Sequence, residues 1–279
     1  MKNKILIVVQ ARMASSRLPG KVMLPILGKS LLARMVERLK MIRHEAEIII
    51  ATSETPDDDI IINEAINIGV PYYRGSLNNL LDRHYQVAKL HNADIVLKIP
   101  SDCPLIDPLI VDHVLDYFFA NQNDFDFVSN LHPATYPDGN DVEIMTIACL
   151  TKARENAKRD LELEHTTPYI WENPQLFRIA NVTWPTGLDY SMSHRFTIDY
   201  AEDYYFIERV FRELYADNNR FSCDDILNLL NQKPEIYNIN AQYAGVNWYR
   251  HHVDELKTIT SAQTKQAPTK NLQELQQSE

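Results

Sequence analysis

The stretch that decides the fold is residues 4–21, which read KILIVVQARMASSRLPGK. The apolar, β-branched run at residues 4–9 predicts a strand that is buried on both faces. The ten residues from Arg12 to Lys21 contain three cations and two hydroxyls. Guanidinium and ammonium groups at this spacing suit the oxygens of a triphosphate. The loop therefore predicts a polyanion site directly after the first buried strand.

Strands and helices alternate after this loop, through about residue 130. Further strands are expected, in chain order, at residues 47–52, 70–74, 94–99, 125–129, 141–147, 176–182 and 194–198. The alternation predicts βαβ units in an open, mostly parallel, doubly wound α/β sheet with helices on both faces. A strong helix is expected at about 201–214. We expect one domain over residues 1–257, while residues 258–279, which lack aromatics, predict a disordered tail.

The charge distribution points to a small anionic ligand. The net charge is −10, which disfavours a general nucleic-acid or acidic-membrane binder. Residues 1–36 nevertheless contain seven bases and no acid. No apolar run is long enough for a spanning helix or a signal-peptide core. The three cysteines are widely separated, which argues against a disulfide framework or a structural zinc site and suits the cytoplasm.

The loop QARMASSRLPGK at residues 10–21 closely resembles the signature loop of the cytidylyltransferases that activate sugar acids. The likeness is strongest to the branch of spore-coat polysaccharide biosynthesis protein F. It extends to the 3-deoxy-manno-octulosonate and acylneuraminate cytidylyltransferases. It recurs in order at RGS (74–76), LDR (81–83), SDCPLIDP (101–108), TYPDG (135–139), EHTTPY (164–169) and TIDY (197–200). This resemblance covers roughly residues 4–240, and an ordered set is more specific than any single motif.

The resemblance implies a Rossmann-like, nucleotide-diphospho-sugar transferase-like fold and a cytoplasmic homodimer. The implied reaction transfers CMP from CTP to a sugar acid or a sugar or polyol phosphate and releases diphosphate, in surface polysaccharide precursor synthesis. The nucleotide-binding half is then residues 1–130, and the acceptor-binding half is residues 131–257.

Candidate site residues follow from the resemblance and from the strand-end loops. The catalytic candidates are Arg12, Lys21 and Asp102. The nucleotide-binding candidates are Ala11, Arg12, Ser15, Ser16, Arg17, Lys21, Ser53, Arg74 and Ser76. The resemblance places the acceptor at Tyr136, Asp138, Asp141 and His165. Asp102 and Asp199 match its magnesium ligands, and Mg²⁺ is commonly held by one or two carboxylates plus substrate phosphates.

Placement at the ends of neighbouring strands predicts that the carboxylates of Asp102 and Asp199 converge. Because two nearby anions repel, replacing either with Asn is expected to raise the stability of the apoenzyme slightly. Replacing Lys21 with Ala is expected to remove most activity with little change in melting temperature, since the loop should contribute little to the core.

Two other functions stay open on the sequence. Asp57-Asp58-Asp59 resembles the metal motif of nucleotide-sugar glycosyltransferases, although capping of the following helix, with Thr55 as the N-cap, explains these acids more simply. Ala14 and Ser101 stand where the family pattern favours glycine. If residue 14 needs a positive φ, alanine restricts the loop, and the chain is then a non-catalytic nucleotide-binding homologue.

Overall fold

A seven-stranded sheet forms the centre of the part of the chain that the structure describes. That structure is a computed structural model, and it describes residues 3–268. In chain order the strands are β1 (Ile5–Gln10), β2 (Pro25–Ile26), β3 (Lys29–Ser30), β4 (Glu47–Ser53), β5 (Tyr72–Gly75), β6 (Ile95–Pro100), β7 (Phe127–Ser129), β8 (Glu143–Thr146) and β9 (Ile179–Asn181). β2 and β3 pair with each other as a short antiparallel hairpin outside this sheet.

The strand order in the sheet is β5-β4-β1-β6-β8-β7-β9. β1 lies between β4 and β6 and is parallel to both, and β4 is parallel to β5. β8 alone runs antiparallel to its neighbours β6 and β7. The carboxyl ends of β1, β4, β5 and β6 therefore meet at one edge of the sheet. This arrangement confirms the predicted open, mostly parallel, doubly wound fold.

Helices cover both faces of the sheet. They are α1 (Leu31–Leu39), α2 (Asp59–Asn67), α3 (Leu80–Leu90), α4 (Pro108–Ala120), α5 (Ile147–Asn156), α6 (Asp160–His165), α7 (Pro168–Trp171), α8 (Ala201–Leu214), α9 (Cys223–Gln232) and α10 (Pro234–Tyr237). Ile5, Ile7 and Val9 of β1 pack in one cluster with apolar residues of α1, α2 and α4. Leu6 and Val8 pack in a second cluster with residues of α3 and α5. β1 is buried on both faces, as its continuous apolar run predicts.

Local capping explains several helix starts. The Ser30 hydroxyl accepts a hydrogen bond from Ala33 N at 3.0 Å at the start of α1. The Asp107 carboxylate accepts one from Leu109 N at 2.8 Å at the start of α4. Ser222 forms a capping box with Asp225 at the start of α9. Side-chain oxygens satisfy helix N–H groups that have no intrahelical partner, so these positions fix where the helices begin.

Residues 194–198 do not form a strand of the sheet, which corrects the sequence prediction. The segment instead crosses the loop after β6, where Ile198 N donates to the Asp102 carbonyl at 2.9 Å. Phe196 N donates to the Asp138 carbonyl at 2.7 Å. Gly139 has φ of 103°, and a Cβ there would lie 2.6 Å from the Phe196 carbonyl carbon, so this approach requires glycine. Asp199 therefore reaches the sheet edge through a crossing segment.

The predicted disordered tail is also wrong for residues 258–268, which pack against the domain. Ile259 is buried together with Leu256 in the second core cluster. Lys265 N donates to the Gly245 carbonyl at 2.8 Å. The apolar side chain of Ile259 outweighs the polar composition of the segment. Residues 269–279 lie outside the described residues. Within residues 3–268 no helix is long and apolar enough to cross a membrane.

Candidate active site

A cavity of about 650 Å³ opens at the carboxyl ends of β1 and β6. Its walls come from the loop after β1, the end of β6, residues 130–143, the crossing segment before α8, and residues 246–263. This volume lies within the usual range of small-molecule sites. The lining includes Ala11, Arg12, Ser15, Ser16, Arg17, Lys21, Asp102, Tyr136, Asp138, Asp141, His165 and Asp199. Twelve of the predicted site residues are thus brought to one place.

The loop after β1 is shaped by contacts of its own backbone. Gly20 has φ of 69° and donates from its N–H to the Met13 carbonyl at 2.9 Å. The buried Asp58 carboxylate accepts a hydrogen bond from Met13 N at 2.7 Å. Ala14 does not adopt a positive φ, so alanine introduces no backbone strain in this loop. The sequence-based argument that Ala14 restricts the loop therefore does not hold.

Lys21 lies between the two predicted metal-binding carboxylates. Its Nζ is 3.0 Å from Oδ2 of Asp102 and 2.8 Å from Oδ1 of Asp199. The separation of these two oxygens cannot exceed the sum of those distances, so the carboxylates converge. Lys21 is only 9% exposed. Burial opposes its charge, but Asp102 and Asp199 outweigh burial and raise the pKa of Lys21 above its usual value.

Asp199 contacts three cations. Besides Lys21, its Oδ1 accepts from Arg17 at 2.6 Å and its Oδ2 from the buried Arg195 at 3.1 Å. Burial raises the pKa of Asp199, but Lys21, Arg17 and Arg195 outweigh it, so this pKa lies well below its usual value. Asp199 is therefore ionised at neutral pH. Asp102 is less engaged, since its side chain is 31% exposed.

Two further carboxyl groups at the cavity, those of Asp138 and Asp141, have raised pKa values. Burial, and then the neighbouring carboxylates of Asp102 and Glu143, raise the pKa of Asp141 to about 6. Burial also raises the pKa of Asp138 well above its usual value, although Arg195 opposes this. Arg195 contacts Asp138 at 3.2 Å and Asp203 at 2.9 Å. One buried guanidinium thus links Asp138 with Asp199 and Asp203.

A carboxylate oxygen of Asp102 is available to a cation at the cavity, because Lys21 contacts only the other oxygen. Oδ1 of Asp102 is contacted by the Cys103 thiol at 3.8 Å, which is a weak interaction that a metal can replace.

The donor set is sparse. Among residues 3–268 no three or more His, Cys, Asp or Glu side chains are grouped to hold a metal by themselves. Mg²⁺ does not need such a cage, because it usually keeps several waters and shares substrate phosphates. Asp102 fits best as a ligand. Asp199 fits as the second ligand only if the cation replaces Lys21 or Arg17 at its Oδ1.

Arg12, His165 and Tyr136 also line the cavity. Arg12 is exposed and lies 3.4 Å from Oε1 of Glu164. The His165 ring stacks on Trp248 with centroids 3.8 Å apart. Burial, followed by the charges of Lys98, His252 and Arg12, lowers the pKa of His165 to about 3, so the ring is neutral. Tyr136 is buried and stacks on Trp184 at 5.6 Å.

Three predicted nucleotide-binding residues lie outside the cavity lining. Ser53 is fully buried, and its hydroxyl contacts Asp58 at 2.5 Å and Thr55 at 2.7 Å. Arg74 donates to the carbonyls of Ser53 and Thr55, and its guanidinium pairs with Asp59 at 2.9 Å. Ser76 is exposed and accepts a hydrogen bond from Asn79 N at 3.2 Å. These residues lie at strand ends, as predicted, but their side chains make hydrogen bonds within the loops and do not face the cavity.

The Asp57-Asp58-Asp59 sequence is likewise outside the cavity lining. Asp58 binds the Ser53 and Met13 backbone N–H groups, and Thr55 makes no side-chain cap. The capping interpretation was therefore wrong in detail, since Asp58 joins the loop after β4 to the loop after β1. The glycosyltransferase alternative loses its metal motif.

Sequence reasoning missed several residues that line the cavity. They are Lys98, His132, Glu143, Arg195, Trp248 and Tyr249. Glu143 could have been predicted from the sequence, because an acid within the apolar run VEIM at 142–145 has to be buried and buried acids are rare. Trp248 and Tyr249 could not have been predicted, since they lie beyond the region of resemblance and reach the site only through the fold.

The fold and the site together define a nucleotidyltransferase, with a cationic loop after β1 and carboxylates at the end of β6. The sequence profile of the cytidylyltransferase family matches residues 6–240. The chain therefore belongs to the cytidylyltransferase family.

The chain is also similar to individual proteins along most or part of its length. The structure of a cytidylyltransferase from Leptospira borgpetersenii is 35% identical, with a TM-score of 0.79 over 85% of this chain and 97% of that one. The spore coat polysaccharide biosynthesis protein SpsF of Bacillus subtilis is 30% identical over 84% of this chain and 96% of its own length. A 3-deoxy-manno-octulosonate cytidylyltransferase of Solibacter usitatus is 37% identical over 40% of this chain and 44% of its own.

Proposed function

We propose that this cytidylyltransferase transfers CMP from CTP to a sugar acid or a sugar or polyol phosphate, in the synthesis of surface polysaccharide precursors. The observation that carries the proposal is the contact of Lys21 with both Asp102 and Asp199 beside the cationic loop. It joins a phosphate-binding group and the candidate metal ligands at one point. The name of the partial relative supports a sugar acid as acceptor. The name of the full-length relative supports a place in polysaccharide synthesis.

In this proposal an acceptor oxygen attacks the α-phosphorus of CTP. The new bond forms as the bond from the α-phosphorus to the bridging oxygen breaks, and diphosphate leaves. Arg12, Arg17 and Lys21 bind the β- and γ-phosphates and stabilise the charge of the departing diphosphate. Such catalysis consists mainly of positioning and electrostatics, so it requires no covalent nucleophile.

Asp102, with Asp199, would hold a divalent cation, which we propose to be Mg²⁺. When bound, the cation neutralises charge at the α-phosphate. Arg195 keeps Asp199 and Asp138 in place across the cavity. The acceptor lies towards Tyr136, Asp138, Asp141 and His165.

Release of diphosphate tests this function. CTP and Mg²⁺ are incubated with the protein and with 3-deoxy-manno-octulosonate, N-acetylneuraminate or glycerol 3-phosphate, and the nucleotide product is identified by mass spectrometry. We expect a CMP-linked product with at least one acceptor. Consumption of another nucleoside triphosphate but never of CTP would contradict the base assignment. Binding of CTP without turnover would favour a non-catalytic homologue.

The glycosyltransferase alternative has its own test. It requires consumption of a nucleotide sugar and a metal site at Asp58 or Asp59. Asp59 pairs with Arg74 at 2.9 Å and lies outside the cavity lining. We therefore expect that Asp59→Asn leaves the turnover of CTP unchanged. The homodimer and the cytoplasmic location remain predictions, and sedimentation of the purified chain tests the first of them.

A further inference from the structure

The segment of residues 241–268 lines the cavity although it lies beyond the family match, which ends at residue 240. The two full-length relatives match over 96–97% of their own lengths but only 84–85% of this chain. Few residues of those relatives are therefore left outside the match to form an equivalent wall. The likeness to the family therefore assigns no role to this segment.

The segment is held firmly against the domain. Val246 O accepts a hydrogen bond from the buried Arg195 at 2.7 Å. The fully buried side chain of Glu172 accepts from the backbone N–H groups of Lys257 and Thr258. Leu256 and Ile259 are buried in the second core cluster. Because both ends are anchored, the short turn Trp248–His251 keeps a fixed position at the cavity.

Within residues 3–268, three buried polar atoms of residues that line the cavity have no hydrogen-bond partner. They are Oε1 of Glu143, a residue only 1% exposed, Nδ1 of His132 and Oε1 of Gln10. The other carboxylate oxygen of Glu143 pairs with Lys98. A buried polar atom without a partner costs free energy, so such atoms at a cavity indicate that a ligand completes them.

The C-terminal segment presents aromatic rings to the same space. Tyr249 lies with its ring centroid 6.2 Å from that of His132. Trp248 stacks on His165 and lies 4.6 Å from the Tyr249 ring. An indole and unpaired oxygen and nitrogen atoms in the lining of one cavity suit a ligand with hydroxyl groups and an apolar carbon face, which describes a sugar.

We propose that residues 241–268 form one wall of the acceptor subsite, and that acceptor hydroxyls donate to Glu143 while the acceptor's carbon face packs on Trp248. This inference rests on the proposed function. The acceptor's anionic group points away from this wall, because Asp141 and Glu143 repel it and the cations of the loop after β1 attract it. The wall selects acceptors by their hydroxyl pattern.

The test compares Trp248→Ala and Glu143→Gln with the control Asp254→Asn, an exposed position in the same segment. The KM of CTP and the KM of the acceptor are measured by diphosphate release. Loss of an aromatic contact should raise the acceptor KM about 5- to 10-fold in Trp248→Ala. Loss of a charged hydrogen-bond acceptor should raise it about 10- to 100-fold in Glu143→Gln. The KM of CTP should stay within about 2-fold, and the control should match the wild type.

Circular dichroism melting checks that each variant is folded. If Glu143→Gln is unfolded because Lys98 loses its partner, the acceptor KM of Trp248→Ala alone tests the proposed wall. If the variants are folded and active and their KM for the acceptor is unchanged, the proposal that residues 241–268 form a wall of the acceptor subsite is wrong. The proposed function is then unaffected.

Binding separates the two proposals when turnover fails. Absence of turnover with all three acceptors contradicts the proposed function for those acceptors. The wall is then tested by tryptophan fluorescence of the CTP-loaded protein titrated with the same acceptors. A saturable change that Trp248→Phe removes supports the wall, and no change with any acceptor overturns it.

Discussion

The cavity has a predicted phosphate side and a predicted acceptor side, which are built in opposite ways. The predicted phosphate side is the loop after β1, in which Arg12 and Arg17 are both exposed. The predicted acceptor side contains the carboxyl groups of Asp138 and Asp141, whose pKa values are raised by burial. Exposed cations on a loop cost little stability and attract a polyanion. Buried acids cost stability, so their arrangement has to be held by other contacts.

Arg195 and Lys21 join the two sides, and they make the comparison testable. Each is a buried cation that contacts carboxylates from more than one segment. Removing either should therefore affect folding and not only the site. The exposed cations elsewhere on the chain provide the matched controls.

The largest effect is expected for Arg195→Met. It leaves Asp138, Asp199 and Asp203 without their shared partner inside the protein. Breaking a buried ion pair by removing one partner costs about 3–5 kcal/mol of unfolding free energy. Urea denaturation measures the loss. The control is Arg212→Met, which removes an exposed guanidinium that pairs with Glu208 one helical turn away. Equal losses in the two variants would refute the linking role of Arg195.

The second effect is a loss of turnover in Lys21→Ala. Removing one preorganised charge from the phosphate site should lower kcat/KM about 100- to 1,000-fold. The melting temperature should also fall, because Lys21 is buried between two carboxylates. This differs from the small change that the sequence led us to expect. The loss of Lys21 should cost about 1–3 kcal/mol. Lys29→Ala, at an exposed position, should change neither quantity. Retained turnover in Lys21→Ala would contradict the site.

The sequence predicted the elements made of neighbouring residues better than the contacts between distant segments, and the reason is physical. The strand β1, the loop after it and the cap at Asp107 depend on residues close together in the chain. The crossing of residues 194–198 depends on Gly139 far away in the chain. The burial of Asp141 and the contribution of Trp248 depend on the whole fold. Local patterns do not contain such information.

The third effect separates Asp199→Asn from Asp102→Asn. Both should abolish turnover that depends on a divalent cation, and a titration of diphosphate release against Mg²⁺ measures this. Their stabilities should differ. The folded-state pKa of Asp199 is lowered, so its carboxylate contributes stability above the unfolded pKa of about 4, and this stability is lost as the pH falls.

Asp199→Asn should therefore lower the melting temperature at pH 7, and the difference from the wild type should shrink as the pH falls below about 4. This reverses the sign expected from simple repulsion of two anions, because three cations surround Asp199. Asp102 is partly exposed and pairs with Lys21, so Asp102→Asn should change stability little. A higher melting temperature for Asp199→Asn would restore the repulsion argument.

The smallest effect is expected for Asp141→Asn, and its sign is opposite. The pKa of Asp141 is raised to about 6, so the folded state holds its proton more tightly than the unfolded state does. Ionisation between about pH 4 and pH 6 therefore costs the folded state stability. At pH 7 the neutral amide should stabilise the apoenzyme by about 1–2 kcal/mol, since each pKa unit corresponds to about 1.4 kcal/mol and the site relaxes in part. Below about pH 4 the wild type is also neutral there, and the difference should vanish.

Melting curves of the two proteins from pH 3.5 to pH 7.5, with the exposed Asp217→Asn as control, measure this difference. A destabilised variant at pH 7 would show that Asp141 is held by a cation, and the two sides of the cavity would then be built alike.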